Sequence, residues 1–328
     1  MRAAVSTTYG PPDVVRIEEV PTPEPRAGEV RVKVQLSTVN RTDCGYRAAH
    51  PFFVRAFTGW RRPRLTVLGT EFAGVVEALG PGVTRFRVGD RVFGYNEATF
   101  GAHAEYLTID QDGPVATIPP GVPEDRAAAS TEASHYALAI ISKGGIERGD
   151  DVLVYGASGG IGSAAVQLLK ARGASVTAVC GPEAVELMGE IGADRVIDRT
   201  SADFTRGGET YDYVIDAVGK LSFGRCRSAL RPRGRYLTTD LGPGWQNPPL
   251  QLATRLGRGR RVMLPIPQTF DKALIEQFHE MLRSGQFTPV LDDRRFGLDQ
   301  IVEAYRYVES EQKIGNVLLV VSPPVGDQ

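Results

Sequence analysis

Apolar and polar positions alternate with two different periods along this chain, and the change of period divides it. In "EVRVKVQLSTV" (29–39), Val30, Val32, Val34 and Leu36 recur at every second position, which places them on one face of a half-buried strand. "EFAGVVEALG" and "DRVFGY" are further strand candidates, and "PGVTRFRVGD" is the turn between them. Residues 1–118 therefore read as short strands punctuated by Gly and Pro, a compact all-β unit. The pattern changes at residue 119. "PPGVPEDRAAASTEASHYALAIISKGG" opens on Pro signals and reads as helix ended by Gly144 and Gly145. "DVLVYG" is then a short buried strand, "IGSAAVQLLKARG" a helix stopped at Gly173, and "SVTAVC" a strand. "PEAVELMGEIG" is a helix with Pro182 in its first turn and Gly192 just past its end. "RVID", "YDYVIDAVG" and "RGRYLTTD" are three more strands. This alternation predicts a parallel, doubly wound α/β sheet. The tail from residue 289 holds a helix and a last apolar strand outside that rhythm, and 242–260 reads as loop.

Composition narrows the function classes. With 328 residues, and about 150 per domain, two domains are expected. Hydrophobic residues make up 42% and charged residues 23%, the balance of an ordinary globular protein. A net charge of −1 gives no overall attraction for nucleic acid or an anionic membrane. No run of about 18 apolar residues predicts a membrane span, and the first residues have no apolar signal core. Cys44, Cys180 and Cys226 lie far apart, which argues against a disulfide framework or a Cys-rich zinc site. A cytoplasmic location is the expectation.

"VLVYGASGGIGSAAVQLLK" carries the first candidate chemistry. A buried strand precedes Gly156, Gly159 and Gly162, a helix follows, and another strand comes about twenty residues on, the context of a dinucleotide site. Gly156 permits the tight turn. Gly159 and Gly160 let backbone approach a pyrophosphate, and Gly162 lets the helix lie close to the sheet. Free N–H groups at the helix start then face the anion. Ser158 and Ile161 belong to the same cradle, and Cys180, Ala217, Val218, Gly219 and Thr238 stand at the ends of later strands as further cofactor contacts. At the end of the second strand, Cys180-Gly181-Pro182 lacks the carboxylate that an NAD site uses for the ribose. Arg199, after the third strand, reads either as a partner for a 2′-phosphate or as a solvated surface arginine. NADP(H) is expected, in preference to NAD(H).

The chain resembles the medium-chain dehydrogenase/reductases, in their zinc-independent, quinone-oxidoreductase-like branch. "GTEFAGVVEALGPGVTRFRVGDRVFGY", "GAHAEYLTI", "GASGGIGSAAVQLLKARGASVTAVC", "IGADRVID" and "LRPRGRYL" follow in that family's order. The resemblance implies a GroES-like β domain over 1–118, completed by 286–328, and a Rossmann nucleotide-binding domain over 119–285. It also implies hydride transfer and a homodimer. In zinc-using relatives the position of Asn40 carries a Cys ligand, that of Thr70 a His, and a third ligand falls near Glu132. Asn and Thr are poor zinc ligands, so no metal is expected.

Without zinc, an alcohol is hard to activate. Reduction of a quinone or an α,β-unsaturated carbonyl needs only hydride, hydrogen bonds to the developing enolate oxygen and a proton. The candidates lie in "VNRTDCGYR". Asn40 can donate to substrate or ribose, or form a turn at the strand end. Thr42 stands where the resemblance puts a relay hydroxyl. Tyr46 is the local acid candidate, or a packing residue, and Asp43 a structural cap. "PFFVRAFTGWRRPRLTV" (51–67) reads either as a substrate gate or as a covering loop. Two rivals remain: an enoyl-thioester reductase of lipid or polyketide metabolism, and a non-catalytic nucleotide-binding or sensor protein.

Overall fold

The period-2 segments of the first part of the chain become β1 (Arg2–Val5), β2 (Arg16–Glu19), β3 (Glu29–Val39), β4 (Glu71–Leu79), β5 (Arg91–Tyr95), β6 (Tyr106–Asp110) and β7 (Val115–Thr117). The computed structural model describes residues 1–322. Val30, Val32 and Val34 of β3 are buried, as their alternation requires. Leu36 is only half-buried, because the β3–β4 register shifts between Val34 and Leu36. Such a bulge reverses which face later residues take, so Ser37 and Val39 turn inward instead.

Between β3 and β4 lie the helices α1 (Arg41–Ala48) and α2 (Arg55–Thr58). After β7 the expected single helix is two, α3 (Glu124–Ala128) and α4 (Glu132–Gly144). The break has a side-chain cause. Thr131 N and Glu132 N donate to the Glu71 carboxylate, at 2.8 and 2.6 Å, instead of continuing a helical ladder.

The alternating part follows: β8 (Asp151–Tyr155), α5 (Gly160–Arg172), β9 (Ser175–Cys180), α6 (Val185–Glu190), β10 (Arg195–Asp198), β11 (Tyr211–Asp216), α7 (Phe223–Cys226), β12 (Leu230–Thr238), α8 (Asn247–Arg255) and β13 (Arg261–Met263). The six strands are all parallel, in the order β10-β9-β8-β11-β12-β13. The chain moves outward from β8 to β10, then returns to β11 on the other side of β8. That reversal is where α/β sheets bind ligands, outside the carboxyl ends of the strands. α8 sits in the stretch that reads as loop, with its prolines in the first turn, where no intrahelical N–H is lost.

The tail supplies α9 (Lys272–Arg283), β14 (Leu291–Gly297), α10 (Ile301–Glu309) and β15 (Asn316–Val320). β15 pairs antiparallel with β3, so the last strand completes the seven-stranded sheet begun by the first part of the chain. Its core joins Val32, Phe72 and Val92 to Ile301, Tyr305 and Leu319.

Two compact units result. One is Met1–Glu132 with the chain from Phe270 onward, and the other is Ala133–Thr269. The change of period in the sequence places the first division at 118/119, and the family resemblance places the second at 285/286. Helices α3 and α9 account for the difference, since α3 packs on β3, β4 and β5 and α9 on β7. No helix among the described residues is long and apolar enough to cross a membrane.

Candidate functional site

In the nucleotide-type unit, β8 runs into Gly156, whose φ of +75° is left-handed. A Cβ there would lie 2.0 Å from Val218 Cγ2, so only glycine makes this turn. Gly159 is the residue before α5, and no side chain caps that helix. The first-turn N–H groups, including those of Gly160, Ile161 and Gly162, have no intrahelical partner. Ser158 sits just ahead of them. A Cβ on Gly159 would meet only Gly156 O, at 3.6 Å, an ordinary contact, so the side facing an approaching group is open. A Cβ on Gly162 would fall 2.2 Å from Gly156 O. Gly162 thus holds the helix against the turn at Gly156 and Ala157, a tighter and more local contact than the sheet. An uncapped helix start with open space before it fits a pyrophosphate.

The remaining expected cofactor residues lie at the carboxyl ends of the neighbouring strands. Cys180 ends β9, and burial pushes its thiol up to about 11. Arg199 follows β10 and donates its backbone N–H to Cys180 O at 2.9 Å. Arg199 lines a cavity of about 320 Å³ with Tyr155, Val179, Thr200, Ser201 and Arg225. Glu183 brings an opposite charge to the same strand end. Its carboxylate folds back so closely over Gly181 that a Cβ there would be 2.2 Å from it. The carboxylate that sequence spacing leaves out of this corner is therefore present, supplied by the turn after β9.

Ala217, Val218 and Gly219 follow β11 and are shaped by Asp216, a residue the sequence reading missed. The Asp216 carboxylate accepts from the N–H groups of Val218, Gly219 and Leu221 and from the Tyr236 hydroxyl, at 3.1, 2.9, 2.8 and 2.9 Å. Desolvation nevertheless holds its carboxyl above the usual range. Thr238 ends β12 in register with Asp216, is buried, and accepts from Asp240 N at 3.2 Å.

The β unit carries the second cluster. Asn40 is not in a simple turn: it caps α1, its Oδ1 accepting from Asp43 N while its own N–H donates to the Asp43 carboxylate, a reciprocal capping box. Asn40 Nδ2 donates to Thr70 Oγ1 at 2.9 Å. Asp43 also accepts from Gly69 N at 3.1 Å, the structural task expected of it, and burial raises its carboxyl well above the usual range. Thr42, half-buried in the same first turn of α1, donates to Glu132 Oε1 at 2.6 Å.

Glu71 anchors the cluster from β4. Its carboxylate accepts from Thr38 Oγ1 at 2.6 Å and from Thr131 N, Thr131 Oγ1 and Glu132 N at 2.8, 2.7 and 2.6 Å. Desolvation raises the Glu71 carboxyl despite these donors. Glu132 is pushed up to about 7, first by burial and then by the neighbouring Glu71 charge. Beneath them His103 donates from Nε2 to Thr38 O at 2.8 Å, and burial lowers it to about 4, so it stays neutral. The sequence names Glu132 only as the neighbour of a ligand position, and Glu71 follows another, Thr70. Their partnership, across 61 residues of chain, leaves no local signal.

Tyr46 lies on α1 with its ring edge-on to Phe100, the centroids 4.7 Å apart, and burial raises its phenol. Packing against Phe100 is its visible role, and the carboxyls of Asp43, Glu71 and Glu132 take their hydrogen bonds from other groups. In the 51–67 segment, Phe52, Phe57 and Trp60 are exposed, Phe57 at 75% and Trp60 at 66%. They do not cover the β unit's core.

A catalytic zinc does not fit this donor set. Asn40 donates to Thr70, and Glu132 is the one carboxyl among the three positions. Among the described residues, no group of three His, Cys, Asp or Glu side chains is arranged to hold a metal ion.

Comparison with known proteins agrees with both halves. The model of the alcohol dehydrogenase GroES-like domain matches residues 26–120, and that of a zinc-binding dehydrogenase domain matches 191–319. The chain is 29% identical over 330 aligned positions to a 2-methylene-furan-3-one reductase of Solanum lycopersicum, covering 97% of this chain and 79% of the relative. It is 32% identical to a chloroplastic quinone-oxidoreductase homologue of Spinacia oleracea, over 72% of each. Among solved structures, a mycobacterial protein complexed with NADPH superposes with a TM-score of 0.80 at 27% identity, covering 98% of this chain and all of that one (100%).

Proposed function

The chain belongs to the medium-chain dehydrogenase/reductase superfamily, in its quinone-oxidoreductase-like branch, and from that membership we propose that it is an NADPH-dependent, zinc-independent reductase of quinones or α,β-unsaturated carbonyls. One observation carries the reading: the uncapped start of α5, with an open side at Gly159, lies at the reversal point of a six-stranded parallel sheet.

A reduced nicotinamide cofactor, when bound, supplies the hydride. The residues of this chain do the rest. The first-turn N–H groups of α5 hold the pyrophosphate. Ala217, Val218 and Gly219, fixed by Asp216, shape the wall beside Gly156. Arg199 attracts a 2′-phosphate, and Glu183 opposes it, so NADPH is preferred by less than an arginine alone would give. In the β unit, Asn40 is committed to its cap and to Thr70, and the hydroxyl of the half-buried Thr42 donates to Glu132. Reduction of a conjugated carbonyl needs a hydrogen-bond donor and a proton but no metal, which suits a donor set that does not fit zinc. A small-molecule carbonyl or quinone is the substrate of this reading, and a homodimer its assembly.

Purified protein with NADPH or NADH, challenged with quinones, 2-alkenals and enoyl-thioesters, tests the proposal by absorbance of the reduced cofactor. Oxidation of NADPH by quinones or alkenals is the expected outcome. Oxidation by thioesters alone would transfer the protein to lipid or polyketide reduction. Tight NADPH binding without oxidation by any acceptor would make it a binding protein.

A further inference from the structure

We propose that residues 51–67 form a docking surface for an anionic lipid bilayer, in which Phe57 and Trp60 enter the headgroup layer and Arg61, Arg62 and Arg64 meet its charge. The inference goes beyond the reductase reading and stands without it.

The sequence concentrates one sign of charge here. Between Pro51 and Thr70 lie four arginines and no Asp or Glu, in a chain whose net charge is −1. Elsewhere in the same unit Arg2, Arg31, Arg85 and Arg91 each pair with a carboxylate. Among the described residues, Arg55, Arg61, Arg62 and Arg64 have no carboxylate partner. A global charge near zero therefore hides a local cationic patch, felt within a screening length of roughly 8 Å.

The aromatic side chains beside it stay exposed because the backbone that carries them is held from within. Phe52–Val54 makes a 3-10 turn that runs into α2. Tyr9 pins the far end: its hydroxyl donates to Gly59 O at 2.8 Å and lies 2.7 Å from Thr58 Oγ1. Gly59 has a φ of +128°, and a Cβ there would fall 2.1 Å from Arg62 O, so only glycine makes the turn. Arg64 N then donates to Thr58 O at 2.8 Å, and Ser6 N to Thr66 O at 2.7 Å. The Arg55 guanidinium stacks inside, 4.8 Å from the Tyr9 ring and 5.1 Å from that of Phe52. Outside, Phe52 and Trp60 meet edge-on with centroids 5.7 Å apart, and Phe57 stands further into solvent than either.

The chemistry selects a bilayer. Exposed Phe and Trp beside Arg is the composition that settles at a membrane interface, rings among the headgroups and cations on anionic lipid. A protein or nucleic-acid partner also needs hydrogen bonds in register. Thr58 is the one hydroxyl or amide side chain from 51 to 65, and it is taken by Tyr9 and Val54 O. A lipid surface is laterally uniform and asks for no such groups.

The test uses the full chain and vesicles of phosphatidylcholine, alone or mixed equally with phosphatidylserine. Co-sedimentation should show binding to the mixed vesicles only, weakening as salt is raised. Arg61→Gln, Arg62→Gln and Arg64→Gln together should weaken it about 100-fold. Phe57→Ser with Trp60→Ser should weaken it by more than about tenfold. Trp245→Phe leaves Trp60 as the only tryptophan, and its emission should shift to the blue on mixed vesicles. Circular dichroism should match wild type throughout, because every replaced side chain is exposed. No binding to mixed vesicles, or binding that survives both sets of substitutions, overturns the proposal. Poly-glutamate or single-stranded DNA bound as tightly as the vesicles, whatever stands at 57 and 60, assigns the patch to a soluble acidic polymer and overturns it too. Dissociation of a stable dimer by Phe57→Ser with Trp60→Ser, in sedimentation velocity, assigns the face to a second copy, with the same consequence. None of these readouts uses turnover, so the reductase reading stands or fails separately.

Discussion

At Gly159 the protein offers empty space and backbone N–H groups. At Glu71, in the other unit, it offers a buried carboxylate accepting from Thr38, Thr131 and Glu132. Both places manage charge, by opposite means. The glycine turn leaves its donors unsatisfied and waits for an anion from outside. The Glu71 cluster has satisfied its donors internally, and what it leaves over is a proton on Glu132. The first kind of site is backbone with open space before it, and the second closes backbone and side-chain donors on a buried carboxylate. Mutations should therefore fail differently in the two regions: loss of ligand without loss of fold in one, loss of fold or of pH response in the other.

Gly159→Asp should produce the largest effect. A carboxylate before the uncapped start of α5 occupies the open side and repels phosphate, so NADPH affinity should fall by more than about 100-fold, over 2.7 kcal/mol. Circular dichroism should be unchanged, because the added Cβ meets no atom closer than 3.6 Å. Undiminished NADPH binding in a folded mutant, by fluorescence titration, would remove the anion cradle.

Glu71→Ala should do the reverse. It strands buried donors from Thr38, Thr131 and Glu132, at a cost of roughly 3 kcal/mol in chemical or thermal unfolding. NADPH affinity of the remaining folded protein should hold. A mutant as stable as wild type would show that the α3–α4 break does not depend on this carboxylate.

The pH dependence of stability sharpens the same contrast. Glu132 has a folded-state value raised to about 7, above its unfolded 4.5, so the folded state holds the extra proton between the two. Its contribution is complete below pH 4.5 and is lost as pH rises through 7. His103, lowered to about 4, works the other way and withdraws stability as pH falls from 6.5 toward 4. Glu132→Gln should remove the first slope only, on the order of 3 kcal/mol between pH 4.5 and 8. Melting curves across that range read it, and an unchanged slope would assign the titration to another group.

Arg199→Ala should weaken NADPH by roughly 1–2 kcal/mol, the size of a charge-assisted hydrogen bond, and leave NADH nearly unaltered. Glu183→Gln should strengthen NADPH by less. Equal losses for both cofactors would free Arg199 of any 2′-phosphate role. Smallest is Asn40→Ala, about 1 kcal/mol of stability from the lost cap. A larger loss would mean that the bond to Thr70 matters more than the cap.

The sequence by itself determined what is encoded locally. Period-2 and helical patterns place the strands and the parallel α/β half. The glycines of 156–162 announce an anion cradle because strand, turn and helix are consecutive in the chain. Even α1's cap is local, with Asn40 and Asp43 three residues apart, although the sequence reads there only a turn at the strand end. Tertiary structure alone decided the rest. The β3–β4 bulge turns Leu36 away from the face its spacing gives it. The helix after residue 123 breaks because a carboxylate from β4 competes for its N–H groups. Glu183 reaches the end of β9 only because its turn folds back over Gly181. The Glu132 proton follows from burial and from charges on β4, after β5 and before β15, residues distant in sequence. Periodicity and turn chemistry act between neighbours along the chain. Desolvation and charge coupling act between neighbours in space, and only the fold makes those.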